Sequence, residues 1–291
     1  MFELLVTQRG RITLMRTKNC TAHTVWMISI ITCLIMAASA GAVDFDDAPF
    51  RRHDAESTVR IDYSKWAKFL NSYVRADADG IHRVDYGEVG ELETKRLGAM
   101  IDELANIDPG TLNRDEQMAF WINLYNAVTV KVVLDHHPVE SIRDIALPPA
   151  GEGGGPWDAP LVEVLGRALS LNDIEHHILR PIWLDERIHY AVNCAALGCP
   201  NLAAVPYTGR LVDGLLDRAA TTFVNHRRAV RIERGVLRLS SLFDWYSDDF
   251  GADREELLEH LTEFAQPELL EQLEGFDGEV AYDYDWALNG F

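Results

Sequence analysis

The chain has 291 residues, with 46 acidic side chains against 27 basic ones and a formal net charge of −19 at pH 7. Such an acidic surface, with no cluster of Lys and Arg to offset it, repels nucleic-acid phosphates and anionic lipids. We therefore exclude nucleic acid as a partner. The charge says nothing positive about the substrate, and the partner expected is an unknown small molecule or peptide.

The first forty residues have the order of a secretory signal peptide. Arg16 and Lys18 precede an apolar run of 14 residues at 25–38, and the small residues at 38–40 supply a cleavage site. The run is shorter than the ~20 residues needed to cross a bilayer. We predict a signal peptide at 1–40, with Met15 as an alternative start and no stable membrane span after cleavage. The expected location is periplasmic or secreted.

The next segment, residues 41–57, has no hydrophobic periodicity and is interpreted as a linker. Residues 58–291 are interpreted as one domain, because no further linker or repeat divides them. Within the domain, Asn113 and Glu116 have the N-x-x-E spacing of a capping box and predict the start of a helix at 114–136. That helix is apolar on every side, which predicts that it is buried.

Asn123 and Asn126 lie three residues apart on this buried helix and therefore share one face. A buried amide that makes no hydrogen bond costs ~1–3 kcal/mol, so both side chains need partners. They either hold the backbone of a neighbouring loop or line a binding site, and the sequence leaves both alternatives open.

The remaining elements are short. Alternation of Ile188, Tyr190 and Val192 predicts a strand at 187–193, and Ser170 with Asp173 predicts a cap for the helix that follows them. The fold class predicted is α+β, a mostly helical single domain with a small, mainly antiparallel sheet of short strands. Further helices are predicted at 63–74, 91–107, 171–179, 211–225 and 254–273, hairpins at 160–169 and 230–239, and an extended segment at 279–290.

Four cysteines occur in the chain, and Cys20 and Cys33 would leave with the predicted signal peptide. Cys194 and Cys199 remain, and three interpretations compete for them. An oxidising compartment favours a disulfide, a neighbouring base would make one of them a nucleophile, and His176 with His189 would complete a metal site. The four intervening residues differ from the C-x-x-C spacing of dithiol oxidoreductases and argue against redox cycling.

The nucleophile hypothesis assigns roles to particular residues. Cys194 attacks the substrate, and His176 acts as base and later as acid. His177 and His189 are further candidates for the base. Backbone amides after Cys194 are predicted to stabilise the oxyanion. No metal or other cofactor is predicted. The residues expected to orient the base are Glu175 and Asn126, and those expected to contact substrate are Asn123, Asn193 and Cys199.

Several segments resemble one known family. They are AFWINLYNAVTVKVVL at 119–134, LSLNDIEHHILRP at 169–181, DERIHYAVNCAALGCPNL at 185–202 and LSSLFDWYSDDFG at 239–251. Together they are similar to DUF547, a family with no settled activity whose bacterial members are often exported, and the resemblance extends over about 59–291. Leu197 departs from the pattern, where a polar residue is common. The resemblance implies importance for Asn123, Asn126, Asp173, Glu175, His176, Asn193, Cys194, Cys199 and Pro200.

These observations lead to two functional hypotheses. The first is an exported thiol-dependent hydrolase or transferase that acts on an amide or ester through Cys194. The alternative is a non-enzymatic periplasmic binding or interaction module, in which a Cys194–Cys199 disulfide closes a small loop and the asparagines have structural roles only.

Overall fold

A computed structural model describes residues 45–149, 154–251 and 253–291. The predicted signal peptide at 1–40 lies outside these residues. The described part is mostly helical with three small sheets, so the predicted α+β class is confirmed. None of its helices combines the length and apolar character needed to cross a membrane.

The fold is built around one buried helix, α4, which spans Arg114–His136 as predicted. Asn113 caps it, because its side-chain oxygen accepts the backbone N–H of Glu116 at 3.0 Å. Every residue from 116 to 130 is buried. Since no side of this stretch faces water, α4 is covered on all sides by the other elements.

The helices before α4 are α1 (Ala48–Arg51), α2 (Ser64–Tyr73) and α3 (Glu91–Ala105). After α4 the chain forms a π-helix at Asp173–Leu179, α5 (Arg180–Trp183), a 3₁₀ helix at Glu186–Tyr190 and α6 (Val212–Val224). The last helices are α7 (Leu242–Trp245), α8 (Ser247–Phe250), α9 (Arg254–Phe264) and α10 (Pro267–Leu273). Single-turn 3₁₀ helices lie at Tyr86–Glu88, Pro109–Thr111 and Ile142–Asp144.

The strands form three separate sheets. Two are antiparallel hairpins, β1 (Val74–Ala76) with β2 (His82–Val84) and β3 (Val162–Val164) with β4 (Arg167–Leu169). The third has the order β5 (Val230–Glu233), β6 (Val236–Ser240), β7 (Glu279–Asp283), with Val230 opposite Leu239. Strand β7 is parallel to β6, and it brings the C-terminal residues back to the middle of the molecule.

Two predicted elements were wrong. Residues 187–193 do not form a strand, because Asp185 accepts the backbone N–H of Arg187 at 3.0 Å and starts the 3₁₀ helix Glu186–Tyr190. The predicted helix at 254–273 is two helices, since Pro267 has no N–H to continue α9 and instead opens α10.

Part of the segment predicted as a linker packs against the domain. Phe50 on α1 is fully buried, and its ring meets the ring of Trp121 edge to face at a centroid distance of 5.5 Å. This contact joins the N-terminal part of the described chain to α4. The boundary proposed at residue 58 stays a prediction.

The buried amides of α4 hold loop backbones. The Asn123 side chain donates to the carbonyl of Tyr207 at 2.7 Å and accepts its N–H at 3.1 Å. Asn126 donates to the carbonyl of Ala191 at 2.9 Å and accepts the N–H of Asn193 at 2.8 Å. Each amide therefore makes the hydrogen bonds that a neighbouring strand would otherwise make to the loop backbone. Of the two alternatives that the sequence left open, this is the one in which the asparagines hold a loop.

We predict that Asn126→Ala destabilises the protein by about 2 to 4 kcal/mol, because it leaves one buried N–H and one buried carbonyl unpaired. Urea denaturation followed by circular dichroism measures the change. Asn71→Ala on the exposed side of α2 is the matched control and should leave the midpoint almost unchanged. Equal midpoints for the two variants would contradict this role of Asn126.

Candidate functional site

A cavity of about 390 Å³ lies where the π-helix, the 3₁₀ helix, α7 and the C-terminal segment meet. Its chemically reactive side chains are Glu175, His189, Cys194 and Cys199. The rest of the lining is mainly aromatic and aliphatic. It comprises Tyr125, Arg143, Gly154, Trp157, Asn172, Val192, Leu242, Trp245, Tyr246, Tyr284 and Trp286.

The two cysteines lie on a tight turn after the 3₁₀ helix. Asn193 holds both ends of the turn, since its side chain donates to the carbonyl of Pro200 at 2.7 Å and accepts the N–H of Ala195 at 3.0 Å. Ala195 has a φ of +58°, a left-handed conformation that is unfavourable for a residue with a β-carbon. The turn is thus held in its conformation by side-chain hydrogen bonds.

The C-terminal segment packs directly on this turn. Leu197 donates its N–H to the carbonyl of Ala287 at 2.8 Å, and Gly198 donates to Asp285 at 2.8 Å. A β-carbon at position 198 would lie 2.8 Å from the Asp285 nitrogen, so only glycine allows the two backbones to approach this closely. The approach brings Tyr284 and Trp286 to the cavity.

Cys194 and Cys199 are both free thiols in the described structure. Their Sγ atoms are 2.9 Å apart, and the backbone N–H of Cys194 also donates to Cys199 Sγ at 2.9 Å. The Tyr284 hydroxyl lies 3.0 Å from Cys194 Sγ. Cys194 is half-buried and Cys199 is buried.

The hydrogen bonds make the two thiols unequal. Burial would raise the pKa of Cys199, but the donors of Cys194 outweigh it and lower the pKa. The hydrogen bond to Cys199, together with burial, raises the pKa of Cys194 well above its usual range. When the pair loses one proton, the negative charge therefore rests mainly on Cys199, with the remaining proton on Cys194.

His189 is the histidine that lines the cavity. Its Nε2 lies 2.6 Å from Asp249 Oδ2, and its Nδ1 lies 3.6 Å from Glu175 Oε1. The ring stacks on Tyr246 at a centroid distance of 4.0 Å. Within the described residues, Nδ1 is buried and makes no hydrogen bond. Two carboxylates thus flank one buried imidazole.

The charges of this group support each other. Burial lowers the pKa of His189, but Asp249 and Glu175 outweigh it, so that the net pKa is raised. Burial would raise the pKa of Glu175, yet the neighbouring histidines hold it at about 2. The hydrogen bond from His189 lowers the pKa of Asp249. Arg180 contributes to the same shift, because its Nε donates to Asp249 Oδ2 at 2.5 Å. The two carboxylates therefore favour the positively charged form of His189.

The structure separates the predicted site residues into two groups. Cys194, Cys199 and Glu175 line the cavity. His176 is not among the lining residues, and its Nδ1 instead lies 3.2 Å from Arg180 Nη1. Asn123, Asn126 and Asn193 also lie outside the lining and hold backbone segments.

The predicted backbone oxyanion pocket is mostly occupied by the protein itself. The amides of Ala195, Leu197, Gly198 and Cys199 already donate to groups within the chain. Two further features were missed from the sequence, namely Asp249 as the partner of His189 and the aromatic lining. Asp249 and most of the aromatic lining come from residues 242–286, which are too far along the chain for spacing to connect them with Cys194.

Among the residues described, no group of three or more His, Cys, Asp or Glu side chains is arranged to hold a metal ion. The proposal that His176 and His189 join the cysteines in such a site therefore has no geometric support.

The comparisons with known proteins give one match. Residues 109–224 match the model of a family described as "Protein of unknown function, DUF547". The matched segment includes α4, Glu175, His189 and both cysteines, whereas Asp249 and Tyr284 follow it. Searches of curated proteins and of solved structures found no match.

We predict that Asp249→Asn lowers the pKa of His189, because the variant removes the negative charge that is hydrogen-bonded to Nε2. Histidine resonances followed by NMR during a pH titration measure the change. Asp248→Asn is the control, since Asp248 is exposed on the same helix. An unchanged titration of His189 in Asp249→Asn would show that the ion pair does not set its charge.

The same ion pair makes stability depend on pH in a defined direction. Because the folded-state pKa of His189 is raised, its contribution is fully present below the ordinary pKa of about 6.5 and is lost as pH rises through the folded value. Asp249→Asn should therefore lower the free energy of unfolding more at pH 6 than at pH 9. Urea denaturation of wild type and variant at both pH values measures this difference, and an equal loss would contradict the charged state of His189.

Proposed function

We propose that this chain, whose residues 109–224 belong to the DUF547 family, is a thiol-dependent hydrolase or transferase acting on an amide or ester. The observation that supports the proposal is that a thiol pair with one stabilised thiolate and a carboxylate-held histidine line the same cavity. Acyl transfer through a thiol needs a nucleophile and a proton donor for the leaving group.

Cys194 is the proposed nucleophile, because it is the less buried of the two cysteines and lines the cavity. Its S–H donates to Cys199 Sγ at 2.9 Å, so the proton moves to Cys199 when Cys194 attacks. Cys199 thereby takes the role of base that the sequence suggested for His176. The Cys194 thiolate then forms a bond to the carbonyl carbon of the substrate.

His189 is the proposed acid. Its raised pKa favours the protonated ring, which can give a proton to the leaving group. The bond between the carbonyl carbon and the leaving nitrogen or oxygen breaks, the leaving group takes the proton, and the acyl group stays on Cys194. In the second step, water or another acyl acceptor gives a proton to the neutral His189 and attacks the thioester carbonyl. The C–S bond breaks, and Cys194 leaves as a thiolate that takes its proton back from Cys199.

Asp249 and Glu175 are the proposed positioning residues for His189, since they lie next to its two ring nitrogens. Tyr284 is the proposed oxyanion donor. Its hydroxyl lies 3.0 Å from Cys194 Sγ, and burial keeps its pKa well above the usual range, so that it stays a donor. Asn126 acts indirectly, by fixing the backbone on both sides of residue 192.

The periplasmic or secreted location stays part of the proposal and rests on the predicted signal peptide. The alternative, a binding module without enzymatic activity, has its support in the closeness of the two sulfur atoms, which would also allow a permanent disulfide. A count of free thiols on the protein as isolated from its own compartment separates the two cases.

The proposal predicts that p-nitrophenyl acetate acetylates Cys194. Intact-mass and peptide analysis should locate the acetyl group there, and Cys194→Ala should abolish it. Cys199→Ser, which removes the proton acceptor, should slow acetylation by about 10²-fold. Ser72→Ala on α2 serves as a control and should react like wild type. Full acetylation of Cys194→Ala, or a permanently bridged native protein, would overturn the proposal.

A further inference from the structure

We propose that Cys194 and Cys199 also form a thiol–disulfide exchange centre that accepts low-molecular-weight disulfides. This activity goes beyond acyl transfer and requires only the same reduced thiol pair. In the bridged state neither sulfur is a nucleophile, so the exchange would also switch acyl transfer off.

The positions of the two sulfur atoms suit this reaction. Four residues separate the cysteines, but the turn held by Asn193 brings their Sγ atoms to 2.9 Å. A disulfide bond is about 2.0 Å long, so closing the bridge needs a movement of under ~1 Å. The C-x₄-C spacing argued against dithiol chemistry, whereas the folded turn supplies the closeness that spacing alone does not show.

The hydrogen bonds of the pair also favour one ionised sulfur, and exchange requires a thiolate. The N–H and S–H of Cys194 both donate to Cys199 Sγ, which favours a thiolate there. The Arg228 side chain holds the same turn, donating to the carbonyl of Leu197 at 3.0 Å and to Asn201 Oδ1 at 2.6 Å, and its positive charge also favours the Cys199 thiolate. Attack on a disulfide needs a thiolate, and an ionised Cys199 allows Cys194 to become one by accepting its proton.

The cavity restricts the substrate to small molecules. Cys199 is buried, and Cys194 is reached through a cavity of about 390 Å³. Trp157 and Trp286 line this cavity, with ring centroids 5.7 Å apart. A disulfide embedded in a folded protein would not enter such a space, whereas a small peptide or amino-acid disulfide would.

The reaction balances in two steps. The Cys194 thiolate, formed when its proton moves to Cys199, attacks one sulfur of R–S–S–R, and the S–S bond breaks to release RS⁻. Cys199 gives its proton to that thiolate and attacks the Cys194 sulfur of the mixed disulfide, which releases the second RS⁻. The pair loses two electrons, and the small disulfide gains them as one thiol and one thiolate.

The test uses the full chain with Cys20→Ser and Cys33→Ser, so that only this pair reacts, and oxidised glutathione as the probe. The parent should lose two thiols and two mass units without retaining glutathione. Cys199→Ser should retain one glutathione on Cys194, because the second step is blocked. Cys194→Ser should react about tenfold or more slowly, since the buried Cys199 remains alone.

Two results would overturn the inference. One is a parent protein that keeps both thiols in oxidised glutathione although iodoacetamide labels Cys194. The other is a parent that retains glutathione as Cys199→Ser does, which would show that Cys199 does not resolve the mixed disulfide. Insulin serves as the size control. If its disulfides were reduced as fast as oxidised glutathione, the restriction to small disulfides would be contradicted.

The test is independent of acyl transfer, because mass and thiol count need no ester. Exchange without acetylation by p-nitrophenyl acetate would remove the proposed hydrolase or transferase and leave this inference standing. Acetylation without exchange would remove this inference and leave the proposed hydrolase or transferase standing.

Discussion

The site depends on one buried amide. Asn126 lies on α4, where every neighbouring residue is buried, and its side chain bonds the carbonyl of Ala191 and the N–H of Asn193. These two residues stand between His189 and Cys194 in the chain. The amide therefore sets how the 3₁₀ helix that carries His189 continues into the turn that carries the cysteines. A backbone segment with no strand beside it has no other regular source of such hydrogen bonds.

A second constraint is the balance of charge around His189. A buried imidazole alone would lose its proton, and a buried carboxylate alone would gain one. Glu175 and Asp249 together reverse this tendency for the imidazole, and the imidazole helps to keep both carboxylates ionised. The three groups come from the π-helix, the 3₁₀ helix and α8. Their mutual stabilisation also joins these short elements, which have few backbone contacts with each other.

The sequence predicted well what depends on local pattern. The bounds of α4 followed from its cap and its continuous apolar run, and the hairpins followed from their turns. It failed at 187–193, where alternating apolar residues resemble a strand but Asp185 starts a helix. The cysteines were placed at the site because they are the two outside the predicted signal peptide, and Glu175 because it is an acid beside the candidate base His176. Asp249, Tyr284 and Trp286 were not, since only the fold brings residues so distant in the chain to the same site.

The C-terminal segment shows why the segment matched to the family is not the whole site. Residues 109–224 supply the thiols, His189 and Glu175, yet the turn with the thiols is itself held by backbone hydrogen bonds to Asp285 and Ala287. Strand β7 places these residues by pairing in parallel with β6. The hydroxyl beside Cys194 and most of the aromatic lining also come from residues 242–286. The reactive groups and most of the aromatic lining are therefore encoded in different segments of the chain, and the pairing of β6 with β7 helps to bring them together.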